Sequence, residues 1–403
     1  MTLALHTDGL FDGMSFHGPS LIEIDDGRIT AVRPADSRDG STDNVMRFGP
    51  GSFVLPGMID VHTHLGFNGG LDAVGDLIRS DDVTLLEQMR TAARTALEAG
   101  ITTVRDLGDR GYLSLDLARE FAKEPGSGPE ILAAGPPITT RDGHCHFLGG
   151  VAEGPEELRA AVRERHERGC SVVKIMVSGG HVTPGSSPFV SQYSQEDIRI
   201  VVEEAHRLGL PVAAHAHSSP AIAAAVRAGV DSLEHATFMT PDGPAVPEAL
   251  LPEIAASGVF VDPTAGMAPI GNAEDVDPDL IALIRANFDK LLAPYRLMRD
   301  LGVRFVNGSD AGVGPGKPHD VLSYAVEHSL RFGLTPADAL ATVTSLAAEA
   351  AGVDDRKGFV RPGMDADLLV IHGDPAADIT ALRAVRAVFR SGKQITRRPD
   401  RPR

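Results

Sequence analysis

Six times along this chain a helical stretch ends in a glycine, and an apolar run of strand length follows at once. The junctions are Gly100 (LEAGITTVRD), Gly169 (ERGCSVVKIMV), Gly209 (RLGLPVAAH), Gly229 (RAGVDSLEH), Gly258 (ASGVFVDPT) and Gly302 (DLGVRFVNGSD). A glycine just past a helix takes up the left-handed conformation that closes the helix at little steric cost. Helix, glycine and buried strand in repetition are the αβ junctions of a parallel sheet. Two further apolar runs, residues 53–61 and 130–134, bring the expected strands to eight. Eight strands alternating with helices over most of one chain predict an α/β protein, and a (β/α)8 TIM barrel rather than an open doubly wound sheet. The preceding helices read as amphipathic: Leu85, Leu86, Met89, Ala93, Ala96 and Leu97 fall on one face.

The two ends read differently. Residues 1–55 (LIEIDDGRITAVRP) and 359–403 (FVRPGMDADLLVIHGD, VRAVFRSGKQI) alternate in the manner of β-hairpins. A small β-sandwich domain assembled from both termini, beside a barrel over 56–358, is the economical arrangement.

Composition narrows the partners. The chain has 38 basic against 55 acidic residues, a net charge of −17, which disfavours nucleic acid and anionic membrane. No apolar run is long enough to span a bilayer, and the N-terminus lacks a basic segment followed by an apolar one. Two cysteines, Cys145 and Cys170, form no CxxC pair, so reduced thiols in a cytoplasmic protein are expected.

Strands of such a barrel are buried on both faces, so an ionisable group within one requires a reason. The C-terminal strand ends are where barrels carry their chemistry. In order, these ends read Asp60-Val61-His62-Thr63-His64, Arg105-Asp106, His215-Ala216-His217, Glu234-His235 and Asp310. His62 and His64 stand two apart on one strand and project to the same side. With His215, His235 and Asp310 they form a nitrogen-and-carboxylate set suited to zinc or a similar divalent ion. Each histidine alone would pass as a satisfied core residue; the set at matching strand ends would not. Lys174 lies inside a run of Val and Ile. It reads either as a buried ammonium paired with Asp106 or Asp310, or as a neutral amine that has added carbon dioxide, giving a carbamate able to bridge two metal ions.

PGMIDVHTHL (56–65), VKIMVSGG (173–180), AHAHS (214–218), LEHA (233–236) and GSDAG (308–312) together resemble the amidohydrolase superfamily, and GMDADLLVIHGDP (363–375) is similar to its terminal β-domain. The resemblance covers essentially the whole chain. It lies closest to the imidazolonepropionase-like branch that contains Xaa-Pro dipeptidases, metallocarboxypeptidases and an ochratoxin-hydrolysing enzyme. It implies two divalent ions, zinc with manganese or cobalt as alternatives. His62, His64 and Asp310 would hold the more buried ion, His215 and His235 the second, and N-carboxylated Lys174 would bridge them. His217 would face substrate, as would His144 in GHCHF (143–147) and Tyr193 in QYSQE (192–196), with His146 a weaker candidate. A metal-bridging hydroxide would attack the amide or peptide bond of a small substrate, of dipeptide, Xaa-Pro or N-acyl amino acid type. Asp310 would act as general base and then general acid. A homo-oligomer is expected.

Two other functions fit less of the pattern. A mononuclear cyclic-amide hydrolase or deaminase would leave Lys174 unmodified, with His235 touching substrate. A non-catalytic scaffold would not need every ligand type retained. GVGPGKPH (312–319) lacks Ser or Thr after its lysine and is no phosphate loop. His166 and His206 read as solvated, His181 as a contact at the barrel mouth, and Cys145 as no nucleophile. Specificity is expected in loops 66–84, 138–150, 179–195, 266–276 and 312–320.

Overall fold

A computed structural model describes residues 3–36, 44–269 and 290–396; part of the loop expected at 266–276 lies outside them. The N-terminal segment supplies β1 (Leu3–Thr7), β2 (Gly9–Phe11), β3 (Phe16–His17), β4 (Ser20–Asp25), β5 (Arg28–Pro34), β6 (Val45–Arg47) and β7 (Ser52–Pro56). Parallel strands follow: β8 (Met58–Thr63), β9 (Ile101–Asp106), β10 (Glu130–Ala133), β11 (Val173–Met176), β12 (Val212–Ala216) and β13 (Ser232–His235). After the short hairpin β14 (Met239–Thr240) and β15 (Gly243–Pro244) come β16 (Phe260–Asp262) and β17 (Arg304–Phe305). The C-terminal segment adds β18 (Leu368–His372), β19 (Val385–Arg390) and β20 (Lys393–Gln394).

The parallel strands form a three-stranded sheet, β10-β9-β8, and a five-stranded sheet, β11-β12-β13-β16-β17. Parallel bridges tie the sheets at both edges, Thr63 to Ala311 beyond β17 and Ile138 beyond β10 to Ile175 of β11. The seams carry strand-like bonds: Asp310 N donates to His62 O at 2.7 Å, and Ile138 N to Lys174 O at 2.8 Å. All six junction glycines have positive φ, from 74° at Gly258 to 92° at Gly100. Helix Asp82–Glu98 buries Leu85, Met89, Ala93, Ala96 and Leu97 as the heptad-like spacing predicts, while Leu86 stays half-buried.

The apolar run 53–61 is not one strand. It breaks at Gly57 into β7, which belongs to the terminal sheet β20-β19-β18-β7-β2-β3, and β8 of the parallel set. A Cβ at Gly57 would stand 2.2 Å from Thr102 Oγ1, so only glycine lets the chain cross from one sheet to the other here. The period of two then works on both faces. Val54, Leu368 and Val370 join Leu5, Ile22, Ile24 and Phe389 in a core shared with the sheet β5-β4-β1-β6. Phe53, Leu55, Leu369 and Ile371 point the other way, into the core around Leu97 and Ile101.

An ionic cluster fastens the C-terminal segment to the base of β10. Glu130, at the start of β10, accepts from Arg356 Nη1 at 2.9 Å and Arg390 Nη2 at 3.2 Å and lies 3.3 Å from Lys357 Nζ. Lys357 and Arg390 also hold Asp367, at the start of β18. Burial alone would raise the Glu130 carboxyl, but the three cations hold it down at about 2. A folded-state value below the unfolded 4.5 stabilises above pH 4.5 and is lost as pH falls towards 2. Glu130→Gln is therefore expected to cost about 2 kcal/mol at pH 7. Thermal melts across pH should show the gap to wild type narrowing below pH 4.5; a constant gap would deny the carboxylate this role.

Candidate metal centre

The C-terminal ends of the parallel strands converge on a cage of imidazoles and carboxylates. His62 near the end of β8 and His64 just past it are buried, and their Nε2 atoms face each other at 3.2 Å. Hydrogen-bond partners decide where the ring hydrogens sit. His64 Nδ1 lies 3.2 Å from Gly108 O, an acceptor, so it carries the N–H. His62 Nδ1 faces Glu234 Oε2 at 2.9 Å and Asp262 Oδ2 at 3.5 Å, and it too must donate. In the neutral form of each ring Nε2 then presents a bare lone pair. Asp310 Oδ1 stands 3.5 Å from one and 3.4 Å from the other. Three electron-rich atoms aimed at one point repel unless positive charge lies between them. His62, His64 and Asp310 could thus hold a cation.

Charge balance agrees. Burial opposes protonation of His62, as does Lys174, but Asp262 and Glu234 outweigh both and raise its pKa. Burial would raise the Asp310 carboxyl too, yet His62, His64 and Lys317 hold it well below the usual carboxylate range. The pocket thus draws positive charge to its centre and keeps Asp310 ionised.

A second trio stands beside the first. One ring nitrogen each of His215, His217 and His235 lie within 4.8 Å of one another. His215 donates Nε2–H to Gly179 O at 3.1 Å, leaving Nδ1 free. His235 Nδ1 lies 2.9 Å from Thr264 Oγ1, whose own hydrogen goes to Pro263 O, so His235 donates there and leaves Nε2 free. Burial, followed by neighbouring histidines, lowers the pKa of His215 and His235 well below normal. Neutral imidazoles, each with one unbonded ring nitrogen, suit a divalent ion.

Lys174 lies on β11 with Nζ buried and without a hydrogen-bond partner among the described residues. Burial lowers its pKa, partly offset by Glu234 and Asp310. Neither sequence-level partner, Asp106 or Asp310, bonds it. Asp106 instead accepts from the backbone N–H of Leu65 and Gly108.

The backbone is strained around this cage. His235 (φ 72°), Thr264 (φ 49°) and Asp310 (φ 52°) adopt left-handed conformations that side-chain-bearing residues avoid. Lys317, from the GVGPGKPH loop, donates Nζ to Thr264 O at 2.6 Å and Ser309 O at 2.9 Å and ties two of these corners together. Gly308 lets strand and cage approach: a Cβ there would sit 2.2 Å from His62 Cβ.

Among the other sequence-predicted residues, His144 stacks near His215, with ring centroids 4.5 Å apart. His217 belongs to the second trio, and His181 lies 5.8 Å from it. Tyr193 is placed otherwise. Its ring is buried in the core beside Ile198, and its hydroxyl donates to Ala152 O at 2.8 Å, so it braces the loop instead of lining the cage. Its neighbour Gln192 takes the nearer role, accepting from His144 N at 2.6 Å. Sequence reasoning also passed over Asp262, although GVFVDPT places a carboxylate at a buried strand end by the same rule that singled out Asp310. Lys317 had no such signal, because its partners are carbonyls far away in sequence.

Known proteins place this site in a class. Residues 53–395 match the Amidohydrolase family, and the chain belongs to it, as a hydrolase acting on carbon–nitrogen bonds. Ochratoxinase of Aspergillus niger is 28% identical over 376 residues, covering 84% of this chain and 75% of the relative. The crystal structure of a Xaa-Pro dipeptidase with bound methionine in its active site is similar at a TM-score of 0.83 and 26% identity, over 98% of this chain and 99% of that one. A prolidase complexed with N-methylphosphonate-L-proline is similar at a TM-score of 0.83 and 27% identity, over 99% and 100%. No helix among the described residues is long and apolar enough to cross a membrane.

If Glu234 orients His62, Glu234→Gln should weaken divalent-metal affinity roughly 10- to 100-fold. Competition against a chelator measures this; unchanged affinity in the folded variant would show that His62 is oriented by other groups.

Proposed function

We propose that this protein is a binuclear metal-dependent amidohydrolase that cleaves an amide or peptide bond in a small substrate of dipeptide, Xaa-Pro or N-acyl amino acid type. One observation carries the reading. Two sets of side chains, each close enough to share a cation, accompany a buried lysine whose Nζ has no hydrogen-bond partner among the described residues. The parallel strands, bridged at both edges, are read as a closed (β/α)8 barrel with its mouth at the cage, and the sheets from the two termini as a small β-sandwich domain.

His62, His64 and Asp310 would hold one ion, and His215 and His235 the other. Neutral Lys174 Nζ would add to carbon dioxide, forming an N–C bond and releasing one proton to solvent. The resulting carbamate supplies one negative charge and two oxygens. It would satisfy an atom otherwise buried without a partner, at a cost of about 1–3 kcal/mol. When bound, two divalent ions supply hydroxide near neutral pH and a Lewis acid for the scissile carbonyl. This chain's residues do the rest. Asp310, kept ionised by its neighbours, takes the proton of the attacking water and delivers it to the leaving nitrogen. His217 and His144, buried beside His215, are neutral at pH 7, each pushed down to about 3, with burial the first cause, and offer N–H groups or lone pairs to substrate. The ochratoxinase and prolidase relatives support a carbon–nitrogen bond as the target.

Asp310→Asn should lower kcat by at least roughly 10²–10⁴-fold while the melting profile of the protein persists. Substantial turnover in that variant would sink its assignment. Metal analysis after reconstitution with bicarbonate should return two ions per chain, and fewer in Lys174→Ala. A single ion in the wild type would favour the mononuclear alternative.

A further inference from the structure

A cavity of about 630 Å³ opens between the loops at the mouth of the parallel strands. Its walls include Val74, Ile78, Phe147, Val182, Pro184 and Val313. The contributing segments belong to loops that follow strand ends of the parallel set. Val313 follows three residues after Asp310. His181, whose ring meets His217, precedes Val182. His144, stacked near His215, opens the turn that carries Phe147. Phe67 packs edge-on against His64 at 5.7 Å and against Phe147 at 6.4 Å, so an aromatic path runs from a ligand to the cavity wall. Thr183 Oγ1 accepts from Cys145 N at 2.9 Å and locks two of these loops together.

The lining offers no free charge. Its ionisable members are Asp72 and His146. The Asp72 carboxylate accepts from Gly75 N and pairs with Arg79 at 2.8 Å. His146 Nδ1 donates to Gly143 O at 2.9 Å. The volume lies within the range of pockets that enclose small organic molecules and exceeds one aliphatic side chain. We infer that this cavity is the specificity subsite of the enzyme, and that it takes a large apolar substituent, aromatic or branched aliphatic, carried by the amide substrate. This inference rests on the proposed amide hydrolysis at the adjoining centre.

Two matched series test it on the metal-reconstituted protein: N-acetyl-L-Xaa and L-Xaa-L-Pro, with Xaa as Phe, Leu, Ala, Asp or Lys. In the series that is cleaved, kcat/KM for Phe and Leu should exceed that for Ala roughly 10- to 100-fold, with Asp and Lys poorest. Val182→Asp and Ile78→Asp, both at partly or fully exposed positions, should erase most of that ratio while the Ala substrate stays within about twofold. Equal rates for Ala and Phe, or an unchanged ratio in both variants, would overturn the subsite. If neither series is cleaved, amide hydrolysis of these substrates fails as a reading. The subsite is then judged by binding alone: N-acetyl-L-phenylalanine should raise the Tm of the wild type and not of Val182→Asp, and no shift in either would reject it.

Discussion

Everything at the mouth of this fold depends on the hydrogen placement of His62. Glu234, held ionised by its neighbours, accepts from His62 Nδ1 at 2.9 Å, and Asp262 Oδ2 stands 3.5 Å away. The ring therefore has one arrangement, with Nε2 pointing inward at His64 and Asp310. Glu234 in turn accepts from Ser232 Oγ at 2.6 Å and lies 3.3 Å from Arg105, whose Nε donates to Val61 O on the strand that carries His62. The arginine thus spans β8 and β13. A side chain this polar is tolerated in the interior because each of its charges has a named partner.

This arrangement has a backbone counterpart. His235, Thr264 and Asp310 sit in left-handed conformations at the ends of three different strands. Such residues persist only when surrounding contacts over-determine them. The contacts are visible: Tyr295 Oη donates to His235 O at 2.6 Å, Lys317 holds the carbonyls of Thr264 and Ser309, and Asp60 accepts from Ser309 N and Oγ. The strain turns side chains off the strand line and into the cage.

The parts of this arrangement that were legible in sequence share one property: they are local. The glycine junctions declare themselves because helix end, left-handed residue and apolar strand are contiguous. The HxH on β8 does so because a period of two places both rings on one side. Lys174 stood out because a cation within Val and Ile is costly wherever the chain goes next. What escaped is non-local. Tyr193 sits in a motif that also braces the His144 loop, and nothing along the chain reveals that Gln192 bonds that loop while the phenol turns to Ala152. Nor does a Gly-Pro-Gly-Lys turn reveal that its ammonium will meet two carbonyls at distant strand ends. Gly57 was hidden for a related reason. An unbroken apolar run looks like one strand until the partner sheets, made elsewhere in the chain, show that its two halves belong to different layers.

The division between rigid and variable parts follows from these contacts. The candidate ligands lie at strand ends whose geometry is fixed by buried polar bonds, and the neighbouring strand β10 is clamped at its base to the C-terminal segment through Glu130, Lys357 and Asp367. The loops beyond the candidate ligands are joined by polar links such as Cys145 N to Thr183 Oγ1 and His144 N to Gln192 Oε1, but around the open cavity they present mainly apolar side chains. Apolar contact is non-directional, so residues such as Val182 or Ile78 can change size without disturbing the hydrogen placement that the cage requires. A centre held by directional bonds and a mouth lined by non-directional ones can therefore alter what they bind without altering what they do to it. On the proposed function, chemistry would be set by His62, Asp310 and Lys174, and selectivity by side chains of the cavity wall.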